Sequence, residues 1–139
     1  MSDLELSLYA EAISSQGLKA LRTLLDLNMH NFANSIGMGV ATLNRFELGE
    51  DTSARVGTRM KIIRGAIGAG FIPHKERGRI GLVYIDASKR LAKLLRLQSV
   101  SFRTGKGRKP QDDVSIFLDL ASGNVDLLIG FDRSEAGGS

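Results

Sequence analysis

Residues 28–49 read NMHNFANSIGMGVATLNRFELG, two short helical patterns separated by a glycine-rich break, and this pairing restricts the fold more than any other part of the chain. Asn28 is suited to cap the first helix, whose apolar positions Phe32, Ala33 and Ile36 fall on one face. Ala33 is small where a second helix must cross closely. Gly37, four residues later, suits the left-handed turn that ends a helix. The chain must then bend. From Val40 the pattern is helical again, with Leu43 and Phe46 directed inward and Ala41, Asn44 and Arg45 outward, and Gly49 closes that helix.

These residues resemble the helix-turn-helix domain of the Xre/Cro-like phage repressors and their bacterial relatives, over roughly Gly17 to Phe71. Arg22, Ala33, Gly37, Leu43, Glu47 and Gly49 carry the resemblance together. It implies that Arg22 and Glu47 form a structural ion pair and that Val40, Ala41, Asn44 and Arg45 face base edges in the major groove. On that reading Arg45 pairs with the acceptors of guanine, Asn44 with adenine, and Val40 and Ala41 with thymine methyls. Asn28, Met29, Thr42, Arg55 and Arg59 would hold phosphates, contacts that position a protein without reading sequence. Met29 stands where a polar glutamine is common in the family, Gly39 replaces a Ser or Thr cap, and Glu50 and Asp51 lie where basic residues are frequent.

Around this pair the periodicity continues. Residues 3–14 alternate like a strand at Leu4, Leu6 and Leu8 but also fit a helix through Leu6, Tyr9 and Ile13, and a short helix is the favoured reading. A helix from about Ser15 to Asp26 would bury Leu18, Leu21, Leu24 and Leu25. Another from Ser53 to about Ala69 would bury Val56, Met60, Ile63 and Ile67 and expose Arg59, Lys61 and Arg64. Five helices therefore precede Phe71.

The remainder changes character. Residues 66–86 resemble the end of many short Xre-like regulators, in which a helix closes on glycine and a short strand follows. Pro73 starts a turn, Ile80–Ile85 forms a strand, and His74, Lys75, Arg77 and Arg79 project from a basic loop that either acts as a wing, with Lys75, Arg77 and Arg79 as accessory DNA contacts, or stays solvated. Residues 87–97 form an amphipathic basic helix. Residues 99–104, 114–120 and 125–131 read as strands, the last two joined through Ser122, Gly123 and Asn124. Together with 80–85 they predict a four-stranded antiparallel sheet.

The net charge of +4 hides a division: residues 71–110 hold eleven Lys/Arg against two acids, and residues 111–139 hold one against six. A basic middle section is an electrostatic footprint for a polyanion. The absence of cysteine excludes a disulfide scaffold, a cysteine zinc site and a thiol nucleophile. His30 and His74 lack spaced ligand partners, so no metal and no cofactor are expected, and no residue is assigned a catalytic role. Residues 65–70 and 105–107 lack the rest of a nucleotide-binding loop, and Asp112, Asp113, Asp119 and Asp126 read as hairpin caps. No apolar run approaches a membrane span, and the start of the chain lacks a secretion signal, which predicts a cytoplasmic protein without a membrane partner.

The expectation is an α+β protein: a five-helix, lambda-repressor-like helix-turn-helix domain over 1–72, a small helix plus antiparallel β-sheet extension over 73–133, and a disordered tail over 134–139. Its expected partners are double-stranded DNA and a second copy bound through the extension. An antitoxin or adapter whose extension grips another protein is the alternative.

Overall fold

The structure is a computed structural model that describes residues 2–49, 56–85, 100–104 and 114–129. Helices α1 (Asp3–Ala12), α2 (Ser15–Leu25), α3 (Met29–Ile36), α4 (Val40–Glu47) and α5 (Val56–Gly68) come first, followed by strands β1 (Ile72–Glu76), β2 (Arg79–Tyr84), β3 (Val100–Thr104), β4 (Val114–Asp119) and β5 (Val125–Ile129). The fold is α+β.

Local chemistry sets the helix starts. The side chains of Ser2, Ser14 and Asn28 accept from the backbone N–H groups of Glu5, Gly17 and Asn31, each satisfying a donor that the first helical turn leaves over. Gly39, which precedes α4, supplies no such side chain. The ends are set by left-handed residues: Gly37 at φ 68° closes α3, and Asp26 at φ 58° closes α2. The aspartate at the latter position gives no glycine signal, and α2 ends one residue earlier than the sequence suggests.

Leu18, Leu21 and Leu24 of α2, Phe32 and Ala33 of α3, Leu43 and Phe46 of α4, and Ile62, Ile63 and Ala66 of α5 are buried together. On α5 the buried stripe is therefore rotated from the expected one. Met60 and Ile67 are half-buried, while Ile62 and Ala66 lie fully inside. The ambiguous first segment is helical, with Leu6, Tyr9 and Ala10 inward.

The sheet has the order β1-β2-β4-β5-β3. Strands β1, β2, β4 and β5 pair antiparallel, whereas the expected antiparallel four held β3 and lacked β1, so two features differ from the expected sheet. Pro73 lies within a strand, opposite Leu82, instead of starting a turn. β1 is an edge strand, where the missing N–H of proline can be tolerated. Strand β3 pairs with β5 in parallel. The side-chain alternation of a strand specifies its faces and leaves its neighbour undetermined, so this placement was not readable.

One face of the sheet continues the helical core through Leu82, Ile116, Leu118, Leu120 and Val125. Hydrogen bonds join the layers where the N–H and Oγ of Ser14 both donate to the Leu120 carbonyl, at 3.0 and 3.3 Å. The other face buries Val83, Phe117 and Leu128. The leucine-rich segment 87–97, the loop 105–113 and the tail 134–139 lie outside the described residues.

Candidate nucleic-acid interface

Helices α3 and α4 are joined by three residues, Gly37, Met38 and Gly39. The Met38 N–H donates to the Ala33 carbonyl at 2.9 Å, which folds the link back on α3. Ala33 is fully buried beside this turn, and Leu43 and Phe46 fix the inner face of α4. With those positions committed, Ala41, Asn44 and Arg45 are exposed and Val40 and Thr42 are half-buried. The outer face of α4 thus carries an amide, a guanidinium and a small apolar edge, a set able to meet base edges in a groove.

The far end of α4 is held from below. Arg22 on α2 donates from Nε to Glu47 Oε2 at 2.9 Å and from Nη2 to Glu47 Oε1 at 2.6 Å. Its remaining arm, Nη1, donates to the Leu27 carbonyl at 3.2 Å in the link before α3. One guanidinium therefore ties α2, the start of α3 and the end of α4. The hydrogen bonds to Glu47 raise the Arg22 pKa above the ordinary guanidinium value against the opposing effect of burial.

At the start of α3, Asn28 is exposed and engaged as the cap, so its amide serves the helix directly. Met29 is half-buried against the core, and only its backbone can address an anion. His30 and Asn31, exposed in the same turn, are not among the DNA contacts expected from the sequence. Their signal was positional: both fall within the first turn after a capping residue.

Arg59 is placed differently from the phosphate-binding role expected of it. Its guanidinium donates to the Ile13 carbonyl at 2.6 Å and lies 4.9 Å from the centre of the Phe46 ring. It ties α5 to the α1–α2 corner and the back of α4. Arg55 lies outside the described residues.

The residues of the expected basic loop occupy separate environments. His74 is buried, with Nε2 2.8 Å from Glu76 Oε2. Arg79 donates to Asp126, approaches Asp119 at 3.9 Å and stacks over Phe117. Lys75 is half-buried on β1, and Arg77, with φ 52° at the hairpin turn, is exposed. Sequence proximity groups His74 with three cations that the hairpin separates. Asp119 additionally accepts from the N–H groups of Ala121 and Ser122, a hairpin cap.

Among the described residues no group of three or more His, Asp or Glu side chains converges as a metal site, and no helix is long and apolar enough to cross a membrane. The fold and its exposed surface define an α+β protein with a paired-helix unit, α3 and α4, whose second helix is polar on its outer side. No protein family, curated protein or solved structure matches the chain.

Proposed function

We propose that this protein is a sequence-specific DNA-binding transcriptional regulator in which α3 and α4 act as a helix-turn-helix of the Xre/Cro-like kind. The observation that carries the reading is the outer face of α4, where Asn44 and Arg45 are exposed on a helix whose inner side is buried and whose end is clamped by Arg22 and Glu47. A rigid mount is what a reading helix needs, because bidentate contacts to base edges depend on orientation.

In the proposed mechanism α4 enters the major groove. Arg45 pairs with guanine, Asn44 with adenine, and Val40 and Ala41 pack against thymine methyls. The backbone at the start of α3 and the hydroxyl of Thr42 hold phosphates, with Lys75 and Arg77 as accessory cations. Two copies on a pseudo-palindromic operator would place their α4 helices about one helical turn, ~34 Å, apart, and occupancy would exclude polymerase.

Selection of the purified protein on random duplex DNA, followed by titration of the enriched sequence at two salt concentrations, tests this. Enrichment of an inverted repeat with salt-sensitive binding is expected. Binding without an enriched motif would remove the reading role from α4, and no binding at all would favour a protein adapter.

A further inference from the structure

Two features of the helical layer have no place in DNA reading. One is an open groove of about 570 Å³ between the end of α2, α3 and α5. Leu25, Leu27 and Ile36 line it with apolar surface, Gly68 leaves its α5 side open, and Lys61 and Arg64 stand on its edge. The other is the outer face of α1. Leu4 is 83% exposed and Leu8 37%, one helical turn apart, with the acids Glu5 and Glu11 also exposed on the helix.

We infer that the groove is the seat for α1 of a second copy of this chain. The two surfaces are complementary: a leucine pair flanked by carboxylates, and an apolar groove edged by an ammonium and a guanidinium. They also lie side by side, since Arg64 Nη2 meets Asp3 Oδ1 of the same chain at 3.2 Å. Complementary surfaces that adjoin on one protomer suit a two-fold axis, which seats each α1 in the groove of its partner and buries both leucine pairs, one in each groove. Helix-in-groove docking of this kind uses residues spaced three or four apart as anchors, the spacing of Leu4 and Leu8. A dimer of ordinary size covers about 800 Å² on each partner, and reciprocal seating approaches this better than a single helix can. Lys61 and Arg64 would then meet the carboxylates of the partner helix.

This association is separate from the DNA reading and is measured without DNA. Sedimentation equilibrium of the full chain is expected to show a monomer–dimer equilibrium. The double substitution Leu4→Glu with Leu8→Glu, on exposed positions, should weaken it by about 100-fold or more. Gly68→Leu should do the same from the groove side; a side chain there meets open space, with nothing within 4 Å of an added Cβ. Circular dichroism establishes that both variants are folded. The discriminating measurement mixes the two variants: each alone has both seatings broken, whereas the mixed pair keeps one, so a heterodimer should form that neither makes by itself. A wild-type monomer at all concentrations would overturn the inference. A dimer unchanged by both variants would also overturn it and transfer dimerisation to the sheet extension, and a mixture no more associated than either variant alone would show that α1 and the groove are not each other's partners.

Discussion

Arg22 and Glu47 meet through two near-parallel hydrogen bonds across the interior edge of the helical layer, with side-chain exposures of 23% and 10%. Closure of the helices leaves both largely out of water, and the third arm of Arg22 is held by the Leu27 carbonyl. Removing one partner leaves a largely buried charge, so Arg22→Ala or Glu47→Ala should each cost roughly 3 kcal/mol in urea unfolding. An apolar double replacement, Arg22→Met with Glu47→Leu, should lose far less than the two single losses combined, because no charge is left behind.

Asn44 and Arg45 make the opposite case, being exposed and remote from the core. Replacing both with alanine should leave the unfolding transition within about 0.5 kcal/mol of wild type. It should also remove roughly 1 to 3 kcal/mol of base discrimination at each contacted position. Competition between the selected operator and a mismatched duplex reads this loss. Unchanged selectivity would exclude α4 as the reading element.

Two glycines on α5 should respond in opposite directions to alanine. At Gly65 an added Cβ would lie 2.3 Å from Ile36 Cγ2, so the Ile36 side chain must turn aside or α3 must move, at a cost of about 1 to 3 kcal/mol. At Gly68 nothing lies within 4 Å, and relief of the glycine penalty should stabilise the helix by a few tenths to ~1 kcal/mol. Thermal unfolding of the two variants side by side gives the sign of each.

Tyr9 is buried in α1, and burial, aided by the nearby Glu5 charge, raises its phenol pKa. The folded chain therefore holds this proton more tightly than the unfolded chain. The stability it contributes is complete below the ordinary tyrosine range and is lost as pH rises through the folded value. Tyr9→Phe should flatten the alkaline limb of a stability–pH curve while leaving the neutral region close to wild type. Equal alkaline slopes for the two proteins would assign that limb to other groups.

Several of these positions could be read in the sequence because the physics that fixes them is local. Asn28 and Gly37 mark the ends of α3 through capping and a left-handed turn, and the spacing of Leu43 and Phe46 fixes which side of α4 faces out. Where the deciding partner is distant in sequence, the pattern was silent. Arg59 and Arg79 look like surface cations along the chain. Carbonyls at Ala10 and Ile13 capture the first, and Asp126 and Phe117 capture the second. Pro73 reads as a breaker until its strand is known to be an edge, and the parallel addition of β3 depends on strand order, which side-chain alternation does not encode.

The Leu120 carbonyl that receives both donors of Ser14 stands where sheet and helices share one core. The paired helices are consequently not a portable cassette. Cut free near residue 72, they would carry an uncovered apolar flank on α1 and α2 and a corner without its acceptor. Grafting a foreign extension onto them would require a strand end that returns a carbonyl to Ser14.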